Sequence, residues 1–141
     1  MSHLFPSTEW AAAYKDAINQ NPKYKEAGKD WTHGAVAMVV KADPKLGIEE
    51  DTAIWLDIDR GTCTACTLMP ASKATEAPFI IVADYARWKT VIKKELDPIK
   101  GMMQNKLKLT KGHMPTIVKY VNSSRELVET TSMVDTKFRD E

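Results

Sequence analysis

The chain has 141 residues, with 20 Lys and Arg against 19 Asp and Glu, for a formal charge of +1. So even a balance excludes a nucleic-acid footprint, or strong attraction to anionic membranes, made by bulk charge. Two cysteines exclude a disulfide framework, and a 43% hydrophobic share excludes wholesale disorder.

The length fits one domain, residues 1–141, large enough to bury about two-thirds of its chain surface without a metal staple. Ser7 is placed to cap a first helix, in which Trp10, Ala13, Tyr14, Ala17 and Ile18 share a face. Asn21-Pro22 ends it, and residues 23–30 read as a charged connection with Tyr24 as an anchor. From Trp31 the period changes to two. Val36, Met38 and Val40 then share one side of a strand. A turn at 43–47 leads to a second strand, about 52–58, with Ile54, Leu56 and Ile58 on one face. Asp59-Arg60-Gly61 is a hairpin break. The Thr-rich third strand, 62–68, alternates weakly, as an edge strand does.

After a Pro-, Ala-, Ser- and Thr-containing loop, residues 79–110 form the most informative stretch. Phe79 to Ala83 is wholly apolar and reads as a strand covered on both faces. Asp84 caps a helix whose stripe runs Trp88, Ile92, Leu96. Asp97-Pro98 closes that helix and opens a short one carrying Ile99, Met102 and Met103. Lys106-Leu107-Lys108-Leu109 alternates as a strand with its leucines inward. Pro115 suits the first turn of a last helix bearing Ile117, Val118 and Val121, joined by Met114. Asn122-Ser123-Ser124 either weakens that helix or lets it resume toward Leu127 and Val128. The polar tail after about residue 130 is expected to fray.

Ala83-Asp84-Tyr85 with Trp88, Leu96-Asp97-Pro98, Gly101-Met102 and Lys106-Leu107-Lys108-Leu109, in this order and spacing, resemble the sterol carrier protein type 2 family of lipid-binding domains. The resemblance spans about Phe5 to Val128. It implies an α+β fold: a five-stranded, mainly antiparallel sheet with helices packed on one face. It also implies an apolar tunnel between sheet and helices for a fatty acid, acyl-CoA, phospholipid or sterol. Neither catalysis nor a cofactor is implied. Two positions depart from the family pattern. Asn105 stands where a glycine often precedes the last strand, and His113 stands where an Asp often follows Gly112. Both put the geometry of the last strand and last helix in question.

The cavity residues expected on this basis are Phe79, Ile81, Trp88, Ile92, Ile99, Met102, Met103, Leu107, Leu109, Met114, Ile117, Val118 and Val121. In the alternative strand phase, Ile80 and Val82 replace Phe79 and Ile81. Periodicity alone cannot tell a hollow interior from a filled one. An empty apolar cavity of about 300 Å³ would cost about 7 kcal/mol, a large part of a domain's stability. The expectation is therefore that a lipid fills the space or that the last helix closes it.

Two readings compete with lipid carriage: a protein-interaction module with a filled core, and a small thiol enzyme using Cys63 or Cys66. Cys63 and Cys66 in a regular strand would face opposite ways, and His3, His33 and His113 show no paired metal-ligand spacing. His33 falls within the first strand on this reading. No metal site is expected. The expected partners are a hydrophobic small molecule and, transiently, a membrane. The first ten residues lack an apolar signal core, no run approaches a membrane span, and no peroxisomal tripeptide ends the chain. The expected location is cytoplasmic.

Overall fold

The computed structural model describes residues 2–141. Strand β1 (His3–Phe5) leads to α1 (Thr8–Gln20), whose first turn is closed by Ser7 Oγ accepting from the Trp10 N–H at 3.0 Å. Trp10, Tyr14 and Ile18 are buried along one face, as the spacing of four requires. Asn21 does more than end this helix. It caps α2 (Pro22–Gly28) by accepting from Lys23 N–H, and Pro22 sits in the first turn. The charged connection expected there is thus a helix, anchored by a wholly buried Tyr24.

The main sheet contains β2 (Val36–Val40), β3 (Thr52–Asp59), β4 (Thr62–Pro70), β5 (Phe79–Ala83) and β6 (Lys108–Lys111), in the order β4-β3-β2-β5-β6. Only β2 and β5 run parallel; the other neighbours are antiparallel. Arg60 and Gly61, both at positive φ, make the β3–β4 turn. The weakly patterned β4 lies at one edge and β6 at the other.

One face of the sheet carries the helices, with Val36, Met38, Ile54, Leu56, Ile58, Phe79 and Ile81 in a single core with α1 and the later helices. The other face is small-residue and loop-covered: Ala37, Val39 and Ala53 pack under Ala74 and Ala77. Ile80 and Val82 belong to that side, so Phe79 and Ile81 are the inward residues.

Asp84 caps α3 (Tyr85–Ile92) through the Arg87 N–H. The helix stops at Ile92, earlier than the stripe to Leu96 implies, because Lys94 turns the chain at φ 63°. Asp97 then caps α4 (Pro98–Met103). Asn105 adopts φ 59°, a left-handed conformation that Asn tolerates better than most residues. The departure from glycine is accommodated. The last helix is two helices, α5 (Met114–Lys119) and α6 (Val121–Glu129), with the break at Tyr120 rather than at Asn122–Ser124.

The tail does not fray in the structure. Strand β7 (Thr136–Phe138) pairs in parallel with β1, and Phe138 is buried. The Arg139 guanidinium donates to the carbonyls of Phe5, Pro6 and Leu46 at 3.1, 2.6 and 3.1 Å. Lys89 reaches Asp140 and Glu141 at 2.9 and 2.7 Å. These partners are remote in sequence, so local polarity gives a misleading reading. Replacing Arg139 with Ala is expected to lower stability by about 1–3 kcal/mol, seen as a fall of several degrees in a thermal melt. An unchanged melt would show that the tail clasp contributes nothing.

Candidate functional site

Between the sheet and the α5–α6 segment lies an apolar cleft. Val36, Met38, Ile58 and Ile81 form its floor from β2, β3 and β5, and Trp31 and Met102 flank it. Ile117 of α5, with Ser123, Ser124, Leu127 and Val128 of α6, forms its roof. Its free volume is about 20 Å³, room for about one water. A pocket for a lipid takes roughly 300 Å³ or more. Among the described residues this cleft therefore holds no lipid-sized space, and the roof lies closed on the sheet.

The expected cavity residues divide into groups. Ile81, Met102 and Ile117 line the cleft. Phe79, Trp88, Ile92, Ile99 and Leu107 are buried in the continuous core around it, and Leu109, Met114 and Val121 are partly buried against that core. Met103 and Val118 are not inside: they are 69% and 47% exposed, on the outward sides of short helices. The lining that was missed is legible in part. Val36, Met38 and Ile58 follow from strand alternation, and Leu127 and Val128 from a resumed helix. Ser123 and Ser124 gave no apolar signal, and Trp31 lies in a loop.

The roof is held unevenly. The later part of α6 is pinned. Tyr14 Oη donates to the Leu127 carbonyl at 2.6 Å inside the core. Asn21 Nδ2 donates to Glu126 and Thr130, and Arg125 Nε donates to Asp97 Oδ1 at 2.8 Å. By contrast, α5 has six residues, buries only Ile117, and has no side-chain N-cap. His113, in the cap position, instead places Nδ1 3.2 Å from Thr116 Oγ1. The Tyr120 ring, at the break, meets Trp31 edge-on at 5.6 Å and His33 at 5.1 Å. His33 therefore lies in an aromatic loop cluster, not in a strand.

Gly112 brings the chain into α5 at φ 116°, where an added Cβ would stand 2.5 Å from the Phe79 ring. Only glycine permits this close turn. Beneath α6, the Tyr24 hydroxyl is buried beside Ser123 without reaching hydrogen-bond geometry. Burial pushes the Tyr14 and Tyr24 phenols well up, with the neighbouring cysteines adding to the shift, so both stay neutral donors.

The cysteines do not face opposite ways. A bulge at Thr64 sets Cys63 against Ile58 and Cys66 against Leu56, turning both thiols toward the helical layer. Burial raises Cys63 to about 11 and pushes Cys66 higher still. Neither is a thiolate near neutral pH. Among the described residues, no group of three His, Cys, Asp or Glu is placed to hold a metal ion. Likewise, no helix among them is long and apolar enough to cross a membrane.

The fold and the cleft agree with the comparisons. The SCP-2 sterol transfer family matches residues 14–122, most of the chain. The chain belongs to this family. A crystal structure of sterol carrier protein 2 has a TM-score of 0.85 at 32% identity, covering 91% of this chain and 97% of that one. A conserved hypothetical protein from Thermus thermophilus gives 0.86 at 30% identity, covering 97% and 94%. Sterol carrier protein 2 from Yarrowia lipolytica, at 13% identity and a TM-score of 0.54, shares the fold over 85% of this chain and 87% of that one. No curated protein is similar enough in sequence to count as a relative. Membership in the SCP-2 family supports binding and transfer of a lipid or sterol.

The uneven roof can be probed at two positions. His113→Asp supplies the missing cap and is expected to stabilise the chain by about 1 kcal/mol, raising its melting temperature by about 2–4 °C. No rise would mean that the start of α5 does not limit the roof. The second position is Asp97. Burial alone would raise its carboxyl, but the Lys100 N–H and the Arg125 guanidinium hold it below its ordinary 3.8. A value lower folded than unfolded gives stability present above about pH 4 and lost as pH falls through the folded value. The loss of stability in Arg125→Gln is therefore expected to be larger at pH 6 than at pH 3. Melts at both pH values check this, and equal losses would refute it.

Proposed function

We propose that the chain binds an elongated hydrophobic lipid between the sheet and the α5–α6 roof, and carries it without chemical change. The observation that carries this reading is the uneven anchoring over an apolar cleft. The end of α6 is pinned by hydrogen bonds from Tyr14, Asn21 and Arg125, while α5 and the first turn of α6 rest on the core through Met114, Ile117, Tyr120, Val121 and Ser123. Lifting that segment would open the cleft along Ile81, Met102 and Ile117, with Phe79, Leu109, Met114 and Val121 next to it.

Each methylene taken from water contributes about 0.8 kcal/mol, so a long acyl chain supplies about 10 kcal/mol gross. That exceeds the loss of a few roof contacts. Ser123, Ser124 and the unpartnered Tyr24 hydroxyl would meet an oxygen of the ligand. A fatty acid, acyl-CoA, phospholipid or sterol falls within this class. Met103 and Val118, exposed near the roof, suit brief contact with a membrane during loading. Two unbridged cysteines are in keeping with a reducing, cytoplasmic setting.

One observation favours a second reading. A void of about 20 Å³ is nearly that of a filled core, as in a protein-interaction module. The raised thiols argue against the thiol enzyme. Titration of a fluorescent fatty acid, followed by displacement with unlabelled lipids and hydrogen exchange with and without lipid, separates the two remaining readings. Saturable micromolar binding is expected, with exchange changing over residues 113–124 and little over 125–130. Absence of saturable binding to any acyl or sterol probe would leave the filled-core reading.

A further inference from the structure

A second concave feature lies away from the cleft, where β5 ends. Lys41 directly follows β2, and its backbone N–H bonds to the Ala83 carbonyl at 3.0 Å, holding it beside the end of β5. Arg87 projects from the first turn of α3. Lys106 follows the positive-φ turn at Asn105, and Lys108 pairs with Val82 on the edge strand. These four cations line one groove of about 170 Å³.

Its charge is only partly compensated, four cations facing one carboxylate. The one carboxylate in the lining, Asp84, already accepts the Arg87 N–H at 2.9 Å. None of the four cationic side chains makes an ion pair or a side-chain hydrogen bond among the described residues, although Lys29, Arg60, Lys89, Lys93 and Arg125 all find carboxylates. In a chain of formal charge +1, such local crowding of one sign is not a bulk effect. Four exposed cations drawn from three separate elements onto one small concavity match a compact polyanion with several acceptor oxygens.

We propose that this groove binds a phosphate group, carried either by a phospholipid headgroup or by a soluble phosphate compound. The site is formed by Lys41, Arg87, Lys106 and Lys108. It does not depend on the apolar cleft, and it stands or falls separately from lipid carriage.

The test compares the wild-type chain with Lys106→Gln/Lys108→Gln and with Arg87→Gln. A further control, Lys23→Gln/Lys25→Gln, removes the same charge from α2, which packs on the β3–β4 turn at the opposite sheet edge. Co-sedimentation uses vesicles of phosphatidylglycerol in phosphatidylcholine, with phosphatidylcholine alone as baseline. Calorimetry uses inorganic pyrophosphate. The expected result is binding that falls about tenfold or more in the groove double variant and clearly in Arg87→Gln, while the α2 control binds as wild type does. Loss confined to vesicles assigns the phosphate to a bilayer lipid; loss confined to pyrophosphate assigns it to a soluble compound. Binding of neither probe, or equal loss in the α2 control, overturns the site. All five altered side chains are exposed, and a circular dichroism melt confirms that the variants fold.

Discussion

The buried bond from the Tyr14 hydroxyl to the Leu127 carbonyl sets the architecture above the sheet. It fixes the late part of α6 to α1, the helix that covers β4. Asn21 extends this join to Glu126 and Thr130. The Tyr14 phenol stays protonated because it is buried, so the bond is insensitive to physiological pH. Among the described residues, no side chain of the roof before Arg125 has an equivalent hydrogen bond to another element. The boundary between the hydrogen-bonded and the apolar-held parts of the roof therefore falls inside α6, not at the visible break between the two last helices.

This asymmetry reconciles a closed cleft with membership in a lipid-transferring family. A permanently hollow interior of lipid size would consume much of a small domain's stability. A roof that rests on the sheet avoids that penalty, and on the proposed reading the short uncapped α5 would keep the barrier to lifting low. Serines at 123 and 124 are consistent with this arrangement. Ser123 is buried and Ser124 half-buried in the closed cleft, and both would be easily wetted if the roof rose. Gly112 sets the approach, since its backbone passes too near Phe79 for any side chain.

The sheet was legible because its strands obey their period. Val36 and Met38, Ile54 to Ile58, and Phe79 with Ile81 alternate as the faces demand, and the weakly patterned β4 is an edge. Caps at Ser7, Asp84 and Asp97 also show in the sequence. What was not legible depends on contacts distant along the chain. The tail is polar, but Arg139 finds three carbonyls that only the fold assembles. The cysteines share a face because one bulge residue, Thr64, shifts the register. Asn19 then takes both the N–H and the C=O of Cys63 at 2.8 Å, sheltering the edge strand there. Met103 and Val118 look like core residues by composition and spacing. Helices of six residues present too few turns for that spacing to decide orientation.

The parallel pairing of β1 with β7 has a mechanical consequence. The chain enters at one end of this little ladder and leaves at the other, so tension between the two termini acts along the strands. The ladder would then be loaded in shear, its bonds sharing the pull instead of parting one after another. A chain tugged by its ends would resist at this seam, while the roof, lying between β6 and the pinned part of α6, would feel little of the strain.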